Sequence, residues 1–415
     1  MKKSLIALAA LATVGAAQAQ SSVTVYGVFD VGYNSLDYKN VGGAVADTAQ
    51  NKQSGLAGSG PLSSQRFGLR GSEDLGGGLK ANFNLEYGFT HALLDGATTA
   101  SVSTAASTSD STGVLAQQNQ AIGGQLVTRT SRVGLESNKL GRLDVGYGLT
   151  GLFATVTAHS PLPGNNFIGD VAYTSNGTSS ADSRILGTVT GYGGGATRMS
   201  GVQYTSPTMN GVQAVVDYGS GKQVRGADTI GDNFNVYNAG LTLRYTAGAL
   251  ALAGTAHTYK ADLGTTSNAE TATDYTALSA RYAVTSNLAV NALYAKNKSK
   301  LSTTGVQNGK NDVTQVGVAY RMGKNQLVAQ YGEGEGEGAV GASRRDRKGY
   351  QIGAIHNLSK RTNVYAIYGY QEAVYVDAAA TTTAAGFAGP SGTAGGPAGT
   401  KEKVEGFAVG VRHSF

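Results

Sequence analysis

The chain ends in Gly406-Phe407-Ala408-Val409-Gly410-Val411-Arg412-His413-Ser414-Phe415, and this stretch alternates in character residue by residue. In an extended strand, its four large apolar residues lie on one face, and the small and polar residues lie on the other. A strand that ends on an exposed aromatic residue is unusual in a water-soluble protein. It predicts an apolar face against lipid, with Phe415 at the membrane interface. Soluble sheets also alternate, so the prediction depends on whether the pattern recurs.

The amino terminus has the three parts of a secretory signal peptide. Lys2 and Lys3 form a basic segment, residues 5–14 form a short apolar run, and Ala17-Gln18-Ala19 is a small-residue cleavage site. The alternative is a buried amino-terminal helix. We predict that residues 1–19 are removed and that residues 20–415 form a single β-barrel domain.

Composition narrows the class of protein. The chain has 61 Gly, 22 Tyr, only 6 Pro and no Cys, which suits a transmembrane barrel better than a disulfide-linked secreted scaffold. After the signal, no apolar run is long enough for a transmembrane helix. The net charge is +6, but the basic residues are scattered, which argues against nucleic acid as a partner.

The alternation recurs along the chain. It is clearest in residues 23–33, 79–87, 142–149 and 237–245, where apolar residues interleave with Asn, Asp, Glu and Arg. Charged side chains on one face cannot be buried unpaired in a packed core. That face must therefore contact water, and the other face must contact lipid or a partner. Each run is about as long as a tilted strand needs to cross an outer membrane.

The pattern predicts an all-β fold, a closed antiparallel barrel of sixteen transmembrane strands. Tight turns alternate with long loops rich in Gly, Ser, Thr and Ala, as in outer-membrane barrels, whereas a soluble propeller or sandwich does not require that asymmetry. The second strand is predicted at 63–73. Long extracellular loops are predicted at 37–62, 151–196, 298–311 and 334–347. The acidic repeat at 332–338 is assigned to the last of these loops.

Six stretches resemble the trimeric general porins of Gram-negative bacteria, specifically the beta-proteobacterial type. They are residues 21–27, 66–76, 79–81, 204–207, 356–362 and the 411–415 end. The resemblance implies a sixteen-stranded homotrimer in the outer membrane, with long extracellular loops and short periplasmic turns. It also implies an inward-folded third loop, here residues 151–196, whose Pro161-Leu162-Pro163-Gly164 cluster suits a rigid turn.

Anion-selective members of this family carry arginines at the pore constriction, and the resemblance places them at Arg66, Arg129 and Arg198. A guanidinium remains charged at any working pH and presents several donors to anions. Strand alternation supports Arg66. Arg198 shares the parity of lipid-facing positions unless a bulge or a loop ending intervenes. Arg129 also has that parity, which leaves Arg132 as the alternative.

Carboxylates are expected to stand opposite the arginines. Glu86 lies on the wet face of the third strand, and Asp170 is the best candidate in the third loop. Arg70 is a further position predicted to face the lumen. Facing opposite charges would create a transverse field in the channel.

No metal-binding or catalytic motif in the sequence is as specific as the porin-like stretches. The five histidines lack metal-ligand spacing, no catalytic motif surrounds a serine, and no metal, cofactor or catalytic residue is predicted. The expected function is passive diffusion of small hydrophilic solutes, preferably anions, through a channel that contacts outer-membrane lipid and lipopolysaccharide. The alternative is a surface or adhesive protein whose barrel only displays loops.

Overall fold

The computed structural model describes residues 22–41, 50–57, 60–89, 127–158, 160–162, 167–172, 197–224, 233–262, 270–301, 307–337, 344–376, 399 and 401–415. The predicted signal peptide lies outside these residues and stays a prediction. The described elements are one helix, α1 (Gly151–Ala158), and the strands β1 (Ser22–Val41), β2 (Gln50–Leu56), β3 (Arg66–Gly76), β4 (Leu79–Gly88), β5 (Val127–Ser137), β6 (Gly141–Leu149), β7 (Arg198–Thr205), β8 (Val212–Val224), β9 (Asn233–Ala247), β10 (Leu250–Asp262), β11 (Glu270–Ala283), β12 (Leu288–Leu301), β13 (Gln307–Met322), β14 (Asn325–Glu337), β15 (Arg344–Asn357), β16 (Thr362–Tyr375) and β17 (Lys401–Ser414).

The strands form a closed antiparallel barrel. From β3 to β17, each strand pairs with the next one in the chain, and β1 pairs with β17 in a register that sets Val31 opposite Val411. Closure satisfies the backbone of every strand and leaves no sheet edge exposed to hydrocarbon. The predicted fold class is therefore confirmed.

The seventeen strand segments fill sixteen positions in the barrel wall. One end of β1 pairs with β3, with Ser22 opposite Ser72, and the other end pairs with β2, with Lys39 opposite Gln50. Thus β2 and β3 share one position, and the chain leaves the wall between them. The predicted boundaries at 37–62 and 63–73 were wrong here. Alternation does not mark the polar strand β2, and it does not show that Pro61 and Leu62 are buried.

Outward and inward faces alternate as the sequence predicts. In β12, Ala289, Asn291 and Leu293 are buried inside the barrel, whereas Val290 and Tyr294 are exposed on the outside. Most exposed large hydrophobic side chains of the strands occupy such outward positions. The lipid therefore replaces the packed core that would cover these residues in a soluble protein.

Several strands run further than predicted. Residues 332–337 of the acidic repeat belong to β14, which continues to Glu337, and β15 already begins at Arg344. Within the repeat, Gly332 and Gly336 are buried, and Glu333 and Glu335 are exposed. The assignment of the repeat to a loop was wrong, because a hairpin that extends beyond the hydrocarbon needs no apolar face and so lacks the apolar alternation.

The described part of the third loop lies inside the barrel. Helix α1 packs its Leu152 and Val156 against Tyr259 and other inward residues of β10–β13. Further along the loop, Leu162 and Phe167 pack against inward residues of β14–β17 and β1. The predicted inward fold is confirmed for these residues. No helix in the described ranges is both long and apolar enough to cross a bilayer.

Candidate functional site

The candidate site is built around Glu86, an inward-facing residue of β4. Its carboxylate accepts a hydrogen bond of 2.8 Å from Nε of Arg129 and lies 3.6 Å from Nε of Arg66. The hydroxyl of Tyr26 donates to the same carboxylate over 3.1 Å. Because its side chain is 15% exposed, Glu86 lies largely beneath the two arginines. One acid therefore fixes two guanidinium groups that are each only partly buried.

A β-bulge explains why Arg129 faces inward. The β4–β5 register sets Glu86 opposite Thr130 but Tyr87 opposite Thr128, so Arg129 is an extra residue in β5. A bulge places two successive residues against one partner and re-aims a side chain. Arg129 therefore joins Thr130 on the inner face. Strict alternation would have put it towards lipid.

Arg198 also comes close to this group. It is the first residue of β7, directly after the third loop, and is 7% exposed. Its Nε donates to the backbone carbonyl of Arg129 over 3.2 Å, and its guanidinium lies 6.0 Å from the ring centre of Phe153 in α1. The β6–β7 register sets Arg198 opposite Leu149 without a shift, so its position keeps the parity of lipid-facing residues, whereas its guanidinium reaches Phe153 of the inward loop.

The other predicted arginines separate into two environments. Arg70 lies over the ring of Tyr26, 5.2 Å from its centre, and so adjoins the Glu86 group. Arg132 belongs elsewhere, since it donates to Gln203 over 2.7 Å and to the carbonyl of Leu149 over 3.0 Å. Gln203 in turn donates to the carboxylate of Asp217 over 2.6 Å. This geometry places Arg129 beside Glu86 and its alternative Arg132 elsewhere.

The two predicted carboxylates lie in different environments. Glu86 lies between the arginines rather than opposite them. Asp170 is 2% exposed and accepts a hydrogen bond from the N–H of Ala172. Its carboxylate is therefore enclosed between loop and wall, and a role in facing the channel stays a prediction. Burial in the folded loop could not be read from the local sequence.

The loop is held against the wall by polar contacts as well. Thr150 caps α1, with its hydroxyl accepting from the N–H of Phe153, and the carboxylate of Asp217 accepts the N–H of Gly151 over 2.7 Å. At the far end, the amide of Gln351 donates to the carbonyls of Phe167 and Ile168. The described loop residues thus pack mainly on β8–β17, whereas the arginines come from β3, β5 and β7.

A second segment, residues 60–65, also lies inside the barrel, and the sequence pattern did not predict it. The N–H of Ser63 donates to Asp30 over 2.5 Å, and the hydroxyl of Tyr365 donates to the other oxygen of that carboxylate. The carbonyl of Ser64 accepts from Nη1 of Arg66 over 3.0 Å. The segment therefore helps to orient one arginine of the site. In the sequence, Pro61 was the only signal that could have marked this segment. In the structure, Pro61 lies next to Gly32 of β1.

The site has a strong excess of positive charge. Arg66 and Arg129 contact the carboxylate of Glu86, Arg70 lies over the ring of Tyr26, and Arg198 bonds the backbone of Arg129. Inside a narrow bore with low-dielectric walls, such a field concentrates anions and repels cations. In the described part of the chain, no three His, Cys, Asp or Glu residues are arranged to hold a metal ion. The arrangement suits transient anion contacts.

Comparisons with known proteins agree with this architecture. A family model described as Gram-negative porin matches residues 5–374. An outer membrane porin protein of Bordetella pertussis is 40% identical over 153 residues, which cover 35% of this chain. Outer membrane porin protein 32 of Delftia acidovorans is 56% identical over 86 residues, or 21% of this chain. The matched segments span only 33% and 22% of these two curated relatives.

Two solved structures share the fold. An anion-selective porin from Comamonas acidovorans superposes with a TM-score of 0.63 at 24% identity, covering 95% of this chain and 100% of the other. OmpT, an outer membrane protein of Vibrio cholerae, gives a TM-score of 0.56 at 15% identity, covering 96% and 100%. At these identities, the likeness concerns the barrel architecture.

Proposed function

The chain belongs to the Gram-negative porin family, and we propose that it forms a water-filled channel for passive diffusion of small hydrophilic solutes and ions. The family and the two outer membrane relatives place the barrel in the outer membrane, and they indicate a channel rather than an enzyme. The observation that supports diffusion through the bore is the charged inner face, since a barrel that only displays loops needs no arginine cluster inside it.

We further propose that the channel prefers anions and that Arg66, Arg129 and Arg198 form its constriction, with Arg70 nearby. The support is the excess of guanidinium over carboxylate around Glu86. Arginine keeps its charge across the physiological pH range and hydrogen-bonds carboxylate, phosphate and sulfate groups. The solute class proposed is therefore small organic and inorganic anions.

A homotrimer is the proposed assembly. Support comes from an aromatic patch on the outer face near the barrel seam, where Phe29 lies 5.3 Å from Phe89 and 5.7 Å from Phe415 between ring centres. The patch continues through Phe67 to Tyr87. Such a large aromatic surface can pack against a neighbouring barrel as well as against lipid. Outer-membrane lipid, including lipopolysaccharide, would cover the remaining outer face.

The proposed function is tested with the purified protein in a planar bilayer under a potassium chloride gradient. We expect stepwise conductance increases on insertion, and a zero-current potential whose sign shows that chloride permeates faster than potassium. A trimer predicts closure at high voltage in three equal steps. Absence of conductance would contradict the channel, whereas a conducting but cation-preferring protein would contradict only the assignment of selectivity.

A further inference from the structure

Asp30 is a fully buried carboxylate on the inner face of β1. One of its oxygens accepts the backbone N–H of Ser63, and the other accepts the hydroxyl of Tyr365. Hydrogen bonds to a buried charged group are strong, and the loss of a partner is costly. The two bonds therefore hold the carboxylate group in a single orientation.

The barrel wall is shaped so that Tyr365 can reach Asp30. Tyr365 belongs to β16, and β17 lies between it and β1. On β17, Gly410 is opposite Tyr365, and a Cβ at Gly410 would lie only 2.3 Å from the tyrosine hydroxyl oxygen. The next inward residue of β17, Arg412, is opposite Asp30 and donates from Nη1 to the hydroxyl of Ser63 over 3.2 Å. Three strands thus converge on this carboxylate.

Asp30 holds the 60–65 segment against the wall. Gly60 lies directly on it, since a Cβ at Gly60 would be 2.2 Å from the Cβ of Asp30 and 2.5 Å from its backbone oxygen. Ser63 is bonded to its carboxylate through the backbone N–H. Between these two contacts, Leu62 is buried in an apolar cluster that residues of the third loop also join. The position of the segment therefore depends on Asp30.

The end of the same segment meets an arginine of the candidate site. The carbonyl of Ser64, the residue after the one that Asp30 bonds, accepts Nη1 of Arg66 over 3.0 Å. The carbonyl of Gln65 accepts the N–H of Phe89 over 3.3 Å, which fixes the end of the segment beside β4. A short route of hydrogen bonds and backbone therefore joins the buried carboxylate to the guanidinium of Arg66.

We propose that Asp30 is a positioning residue, which supports the anion preference of the channel by holding the 60–65 segment that orients Arg66. The inference rests on the proposed function. A charged group acts on a passing ion only while supporting contacts hold it in the right place. Asp30 thus has two opposite effects, because its negative charge disfavours anions, whereas its hydrogen bonds keep an arginine in position. Suitable variants separate the two.

The test compares variants of the full-length protein by their chloride-to-potassium permeability ratios, measured from zero-current potentials in a planar bilayer. Asp30→Ala and Asp30→Asn remove the same charge, but only asparagine keeps an oxygen that can accept the N–H of Ser63. Gly60→Ala changes no charge and forces the segment away from Asp30. Its matched control is Gly221→Ala, where a Cβ would meet nothing within 4 Å.

We expect Asp30→Ala and Gly60→Ala each to lower the ratio by at least about threefold, which is part of the effect of one unit charge at close range. Asp30→Asn should equal or exceed the wild-type ratio, and Gly221→Ala should equal it. If Asp30 acted only through its charge, both Asp30 variants would raise the ratio alike and Gly60→Ala would leave it unchanged. That pattern would overturn the proposal. Gly60→Ala and Asp30→Asn decide the matter even if Asp30→Ala does not fold.

A double-mutant cycle tests whether Asp30 acts through Arg66. In an Arg66→Ala background, Asp30→Ala should lower the ratio no further, because the arginine that it positions is absent. A purely structural role elsewhere in the barrel would lower the ratio by a similar factor in both backgrounds. An additive loss would therefore contradict the proposed route.

Hydrogen–deuterium exchange separates this inference from the proposed function. Residues 60–65 should exchange faster in Asp30→Ala and Gly60→Ala than in Asp30→Asn or the wild type, because opening of the segment exposes its amides. Equal exchange in all four proteins would contradict the hold of Asp30 on the segment, whether or not the protein conducts. The expected order of exchange in a protein that conducts nothing would contradict the proposed function alone.

Discussion

Replacement of Arg66 and Arg129 together by alanine is expected to shift the selectivity of the proposed channel strongly towards cations. Both guanidinium groups contact the carboxylate of Glu86. Together with Arg70, Arg198 and Glu86, they give the site a net charge of +3 in the wild type and +1 in the double variant. Because most of the positive charge is lost, the anion preference should weaken strongly.

The size of this effect follows from Coulomb's law. A unit charge about 4 Å from a passing ion contributes about 1 kcal/mol even at the dielectric constant of water, and the bore is less polar than water. Two lost charges act in opposite directions on anions and cations. After screening, the chloride-to-potassium permeability ratio should fall by at least about tenfold. It is measured from zero-current potentials in a planar bilayer.

Two controls make the result specific. Arg244→Ala/Arg281→Ala removes two arginines near the periplasmic ends of β9 and β11, at positions with the parity of the buried Thr242 and Ser279, and it should shift the ratio far less. Glu86→Gln removes the carboxylate and should strengthen the anion preference. If the Arg66/Arg129 variant kept the wild-type ratio while remaining a folded channel, the assignment of the constriction would be wrong.

Gly369→Val is expected to displace the third loop from the barrel wall and to raise the single-channel conductance. A Cβ at Gly369 would lie 2.2 Å from the carbonyl oxygen of Ile168. Overpacking of this kind costs about 1–3 kcal/mol, and the loop can relieve it more easily than the sheet can. The segment at 167–170 should therefore detach from the wall and cease to hold the constriction in place, so that the current also becomes noisier.

The matched control is Gly254→Val, on the outer face of β10. A Cβ there would meet only the tip of the Leu278 side chain at 3.0 Å, which can rotate away. This control should conduct like the wild type. A Gly369→Val channel with unchanged conductance and noise would mean that the loop does not limit the current.

The strands could be predicted from the sequence because lipid imposes a strict alternation on each of them. That signal fails where the lipid ends. The hairpin extensions of β12–β15 carry charges on their outer faces, so Lys298 and Lys300 fell within a predicted loop although they lie on a strand. The same limit concealed β2, whose residues are almost all polar.

Among the site residues, Arg66 followed from strand alternation, whereas Arg129 and Arg198 were suggested by family resemblance despite their parity. The bulge that turns Arg129 inward has no glycine or proline to mark it, and it becomes visible only in the pairing of Glu86 with Thr130. The burial of Asp170 depends on where the folded loop meets the wall. Such contacts are tertiary and leave no periodic trace in the sequence.

The central claim is that guanidinium groups line an aqueous path through the barrel, and Arg129→Cys tests it most directly. The chain has no cysteine, so a methanethiosulfonate reagent modifies one known position. A cationic reagent should strengthen the anion preference of the open channel, and an anionic reagent should shift the preference towards cations. Thr128→Cys, exposed on the outer face, should respond to neither. Unchanged zero-current potentials of the Arg129→Cys channel with both reagents would contradict the account.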